Sequence, residues 1–218
     1  MTPTELLADV DLFGDLTPQE LHQLADASTI EDLRRGDVLI REDDDADTLY
    51  VVIAGRIAIA KRSIDGRESV VALMEAGDLF GEMGLFVPGR TAEARALEQS
   101  QVLAIGYGPV RAVFERRPEL LWGVVALLAG RLRTMDVALA DSVFLDVTGR
   151  TAKRLVEMAA GADEFTLPVT QEELAAMVGA SRERVNKAIA SFVRLGWIEQ
   201  SDRRYRITDR EQLERRAR

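Results

Sequence analysis

Six apolar residues, Leu121, Val125, Leu128, Leu132, Met135 and Leu139, alternate four and three apart, the 3.5-residue repeat of a helix that faces another helix. A compact domain of the same chain cannot cover such a seam along its whole length. The economical partner is therefore the same helix of a second copy, giving an isologous two-fold dimer. Docking of this helix on its own domain is the alternative.

The chain before the seam has a different period. Short β-branched runs, Val38–Ile40, Tyr50–Ile53, Ile57–Ile59, Val70–Leu73 and Val102–Ile105, are separated by turn signals at Gly36-Asp37, Gly55, Asp65-Gly66 and Gly77-Asp78. This spacing predicts an antiparallel β-barrel or roll, and Asp65-Gly66 reads as a two-residue hairpin because both residues tolerate φ > 0. Asp43-Asp44-Asp45-Ala46-Asp47 lacks the alternating ligands, central Gly and closing Glu of a calcium loop, so it reads as a solvated loop.

After the seam, Phe144–Arg150 breaks the repeat and leads into a helical segment expected from Thr151 to Ala160. Thr170-Gln171-Glu172-Glu173 is a capping box that starts a helix through Leu174, Ala175 and Val178, which stops at Gly179. A second helix begins after Ser181 as N-cap, with Val185, Ile189, Phe192 and Val193 expected to face inward. The pair has the spacing of a helix-turn-helix. Arg182, Glu183, Asn186 and Lys187 are expected on its outward face, where Arg and Lys suit guanine, Glu suits cytosine and Asn suits adenine. Trp197–Gln200 and Tyr205–Ile207 flank Ser201-Asp202-Arg203-Arg204, a hairpin wing whose arginines can neutralise phosphates. Thr170, Ser181, Arg182, Glu183, Asn186, Lys187, Arg203 and Arg204 form the candidate DNA-contacting set.

Charge supports that placement. The net charge of −9 would oppose nucleic-acid binding if it were spread evenly, but residues 1–148 carry 14 basic and 26 acidic residues, whereas residues 149–218 carry 14 and 11. The absence of cysteine excludes disulfides, thiolate zinc sites and iron–sulfur clusters, and a single histidine excludes a multi-histidine metal centre. His22 sits among Leu16, Leu21 and Leu24 on an amphipathic segment and reads as an ordinary helix residue. No metal or haem is expected, nor an enzyme, since no nucleophile–base pair or phosphate-binding Gly-Lys-Ser/Thr loop is present. The longest apolar stretch, Leu120–Gly130, is too short to span a bilayer, and a cytoplasmic protein with no membrane partner is expected.

Over nearly its full length the chain resembles the Crp/Fnr superfamily. The resemblance is carried by Gly36–Tyr50, by Gly77–Leu85 through Arg90-Thr91-Ala92, by Phe144–Arg150 and by Val178–Val185. It implies an α+β fold: residues 1–108 an N-terminal helix and cyclic-nucleotide-binding β-roll, 109–145 a hinge helix and dimerisation helix, and 146–218 a winged helix-turn-helix. It also implies a phosphate-binding cassette at Gly81, Glu82, Met83, Arg90 and Thr91. Within it, Gly81 would let backbone N–H groups approach a cyclic phosphate at the start of a short helix, Glu82 would accept the ribose 2′-hydroxyl, and Arg90 and Thr91 would hold phosphate oxygens. A ligand-free Arg90–Glu82 surface pair is the other reading of those residues.

At the base end the match departs from the family. Met135 and Asp136 stand where the cyclic-AMP receptors carry a Thr followed by Ser or Asn. Asp136 is acceptor-only, so guanine, with two adjacent donors, suits it better than adenine, while packing on the seam explains Met135 equally well. Cyclic AMP and cyclic GMP are thus both candidate effectors. The resemblance further implies a palindromic duplex with TGTGA-like half-sites and RNA polymerase as partners. Lys187, in place of the family's Arg, would weaken discrimination at one position. A roll that has lost its effector, and an adaptor that contacts protein instead of DNA, are the competing functions.

Overall fold

The computed structural model describes residues 2–64 and 68–218. The chain divides into two compact units, one of Met1–Ser63 and Val71–Leu132 and the other with Arg133–Arg218 as its main body. The expected Asp65-Gly66 turn lies outside the described residues.

In the first unit, α1 (Pro3–Ala8) and α2 (Pro18–Asp26) each open on a Thr-x-x-Glu capping box followed by Pro at the first helical turn. Eight strands follow: β1 (Ser28–Leu33), β2 (Val38–Ile40), β3 (Thr48–Ala54), β4 (Ile57–Arg62), β5 (Glu68–Met74), β6 (Leu79–Phe80), β7 (Glu93–Ala96) and β8 (Ser100–Gly106). They form two four-stranded sheets, ordered β1-β8-β3-β6 and β2-β7-β4-β5, as the antiparallel roll expected. The unbroken apolar runs of β3 and β8 arise because both of their faces are buried. Leu49, Val51, Leu103 and Ile105 pack with the helices, while Tyr50, Val52, Val102 and Ala104 point into a second cluster with Ile57, Phe80 and Ala96. The helical cluster also takes in α3 (Tyr107–Arg116) and Leu120 and Val124, at and just before the first turn of α4 (Leu121–Phe144).

The second unit contains α5 (Val147–Ala159), β9 (Glu164–Thr166), α6 (Gln171–Val178), α7 (Arg182–Arg194), β10 (Ile198–Ser201), β11 (Arg204–Ile207) and α8 (Arg210–Arg216). Helix α5 begins four residues before the expected Thr151, because the Asp146 carboxylate accepts from Gly149 N–H at 2.8 Å and caps it. The wing is a three-stranded sheet, β10-β11-β9, and not only a hairpin. Val193 is 42% exposed and does not face inward as expected. It lies one residue beyond buried Phe192, about 100° further round the helix, which carries it off the apolar stripe.

No helix among the described residues is long and apolar enough to cross a membrane, and no cluster of three or more potential metal ligands occurs among them.

Candidate effector cassette and nucleic-acid interface

The cassette is built on the turn that joins β6 to a single 3-10 turn, Glu82–Leu85. Gly81 takes φ 80°, a left-handed conformation, and a side chain there would press on Arg90 and the Thr48 carbonyl. The expected short helix is therefore only one turn, too short for a dipole of consequence. What the turn does is present Glu82 to the interior, where it is 1% exposed.

Glu82 does not pair with Arg90. Its Oε1 receives Arg131 Nη1 at 2.5 Å, and Arg131 Nη2 also donates to the Leu79 carbonyl at 2.5 Å. Glu82 Oε2 is buried and has no hydrogen-bond partner among the described residues. Arg131 lies between Leu128 and Leu132 on α4 and was not singled out from the sequence.

Arg90 is 8% exposed. Its Nη1 donates to the Gly81 carbonyl at 3.2 Å and to the Tyr107 hydroxyl at 3.1 Å, and its Nη2 donates to the Thr48 carbonyl at 2.7 Å. The guanidinium also lies 5.9 Å and 5.8 Å from the ring centroids of Tyr50 and Tyr107. Burial pushes both phenols above their ordinary pKa, so they remain protonated at neutral pH. Neither tyrosine was singled out from the sequence; each is spaced like a core aromatic. Thr91 is exposed, with its hydroxyl 4.0 Å from the Met83 sulfur, and Met83 is itself exposed.

On α4 the seam residues Leu121, Val125, Leu128, Leu132, Met135 and Leu139 are all exposed, from 36% to 66%. Asp136 is exposed beside Met135.

In the second unit, Thr170 and Glu173 satisfy each other's backbone N–H groups, so the Thr170 hydroxyl is engaged as a cap. Gly179 closes α6 with φ 68°, and the Ser181 hydroxyl caps α7 by accepting from Arg184 N–H. Val185, Ala188, Ile189 and Phe192 are buried. Opposite them, Glu183 and Lys187 are exposed and joined by a 2.6 Å ion pair, which holds the Glu183 carboxyl below its usual pKa. Arg182 is exposed at the first turn. Asn186 stands on the flank and not outward: it is half-buried, and its Oδ1 is enclosed without a partner. Arg194, which sequence reasoning passed over, continues the Glu183–Lys187 line seven residues on. In the wing, Asp202 takes the left-handed conformation that turns the hairpin. Arg203 is anchored to the Leu167 carbonyl at 2.9 Å, and Arg204 stands exposed on β11.

Comparison with known proteins bears on both halves. Residues 30–117 match the cyclic nucleotide-binding domain and residues 149–216 the Crp-like helix-turn-helix domain. The chain is 38% identical over 222 aligned residues, covering 98% of it and 99% of the relative, to the CRP-like cAMP-activated global transcriptional regulator of Mycobacterium tuberculosis. Among solved structures, the c-di-GMP responsive global regulator CLP of Xanthomonas campestris superposes with a TM-score of 0.77 at 25% identity, covering 88% of this chain and 99% of that one. The catabolite activator protein of Thermus thermophilus superposes with a TM-score of 0.54 at 28% identity, covering 95% and 98%. The chain belongs to the Crp/Fnr family: it is a DNA-binding transcription regulator with a cyclic-nucleotide-binding domain and a Crp-like helix-turn-helix.

Proposed function

We propose that this regulator binds DNA as a homodimer gated by a cyclic purine mononucleotide held in the cassette. The observation that carries the proposal is Arg90, a buried cation with no carboxylate within ion-pair distance among the described residues. Neutral carbonyls and ring faces replace only part of the hydration such a charge loses, and a cyclic phosphate would supply the missing anion. The orphaned Glu82 Oε2 is the complementary feature, an acceptor suited to a ribose hydroxyl. Thr91 would add a hydroxyl to the phosphate.

Cyclic AMP is the first candidate effector, from the name of the Mycobacterium tuberculosis relative. Cyclic GMP is the second, favoured by the acceptor-only carboxylate of Asp136. Bound nucleotide would favour the state in which the two α7 helices of a dimer are spaced for successive major grooves, about 34 Å apart. Recognition of a palindromic site would rest on Arg182, Glu183 and Lys187, with Arg203 and Arg204 toward phosphate; RNA polymerase would be the downstream partner.

The test is a fluorescence-anisotropy titration of a palindromic duplex with and without each nucleotide, paired with isothermal titration of the nucleotides alone. Nucleotide-dependent tightening is expected. DNA affinity indifferent to both nucleotides would replace this reading with a constitutive regulator. Tighter binding of cyclic GMP, lost in Asp136→Ala, would select the guanine form.

A further inference from the structure

Helix α3 grips the cassette turn at both ends. Tyr107, its first residue, is buried, and its hydroxyl donates to the Gly81 carbonyl while accepting from Arg90 Nη1. One turn further on, Arg111 donates from Nη2 to the Leu85 carbonyl at 3.0 Å, and its guanidinium lies 5.8 Å from the Tyr107 ring centroid. The ring is thus in contact with two arginines. Gly84 makes the arrangement possible, since a side chain there would overlap the Tyr107 hydroxyl and Ala46.

A guanidinium has five N–H donors. The three bonds of Arg90 come from Nη1, which reaches two acceptors, and from Nη2, which reaches one. Nε makes no hydrogen bond among the described residues and Nη2 makes one, so Nε and the second Nη2 proton are left as a pair that can grip two oxygens of an anion. Tyr107 sets that division. Its hydroxyl accepts from Nη1, and its own proton ties it to the Gly81 carbonyl that Nη1 also reaches.

We propose that Tyr107 is the positioning residue of the anion site, holding the Arg90 fork so that two donors face the phosphate of a bound cyclic nucleotide. The proposal rests on the cyclic-nucleotide reading above. Removing the hydroxyl alone takes away one of the two acceptors of Arg90 Nη1 and lets the guanidinium turn.

The experiment is isothermal titration of cyclic AMP and cyclic GMP into the full-length protein and Tyr107→Phe, repeated in an Arg90→Lys background, with thermal midpoints recorded as a check on folding. Lysine keeps the charge but has no fork to orient. Loss of one ordinary hydrogen bond predicts about fivefold weaker nucleotide binding for Tyr107→Phe. In the Arg90→Lys background the same change should cost less than about twofold, because the coupling partner is gone. Undiminished affinity in Tyr107→Phe, or an equal loss in both backgrounds, would overturn the positioning role while leaving the nucleotide reading intact. Wild-type protein that binds neither nucleotide would overturn both.

Discussion

The Glu82–Arg131 pair sets a stability requirement at a single residue position. Glu82 is almost fully enclosed, and Arg131 reaches it across 49 residues of sequence. Removing the cation strands a carboxylate whose other oxygen already lacks a partner, and breaking a buried pair from one side costs about 3–5 kcal/mol. Because Arg131 is partly solvated, Arg131→Ala should fall near the lower end, about 3 kcal/mol in urea denaturation. Glu82→Gln, which leaves no buried charge, should cost less. An Arg131→Ala protein as stable as wild type would show that water reaches Glu82. The cassette positions came from the resemblance to the family, whose matching stretch from Gly77 to Ala92 is continuous in the sequence. Arg131 and Tyr107 were illegible because a charge on a helix and an aromatic after a strand have ordinary explanations until the fold brings them to Glu82 and Arg90.

At the scale of elements, caps decide where helices begin and give the second unit its pH response. The Asp146 carboxyl is held below its usual pKa, first by the Gly149 N–H it caps and then by Arg216, whose Nη2 donates to it at 2.5 Å. A folded-state pKa below the unfolded value means that the stabilisation is fully present above the ordinary aspartate range. It is lost as pH falls through that range toward the lowered value. The destabilisation caused by Asp146→Ala should therefore be larger at pH 7 than at pH 3 when urea midpoints are compared, and a pH-independent difference would refute the capping role. Ser181→Ala should cost about 1 kcal/mol and loosen the first turn of α7, lowering DNA affinity through the reading helix's own order.

The same caps explain what was legible among the elements. Thr170–Glu173 and Ser181 announced their helices at the right residues. Asp146 was passed over because its segment was read as a break, and so α5 was started late. Strands β1, β6 and β7 were missed for different reasons. β1 is an edge strand with one buried residue, β6 has two residues, and β7 is Glu-Ala-Arg-Ala, whose residue types have low β-propensity although its alanines are buried.

At the scale of the whole molecule, the exposed seam on α4 carries the strongest expectation. Six apolar side chains at heptad spacing stand open to solvent on one helix, an arrangement that soluble chains cover by association. In a parallel pairing whose two-fold axis runs along the helices, each seam position meets its counterpart, so a charge placed there faces a like charge. Wild type should sediment as a dimer, and Leu128→Glu with Leu139→Glu should give a monomer in sedimentation equilibrium. A monomer has one reading helix, so binding to a palindromic duplex should fall by about a hundredfold or more, the usual worth of a second linked contact. Affinity for a single half-site should be nearly unchanged, because Arg182, Glu183 and Lys187 lie far along the chain from both substitutions. Retention of the dimer by this double variant would assign the seam to some other surface, and a loss equal on half-site and palindrome would mean that α4 supports the reading unit's own fold instead of joining two copies.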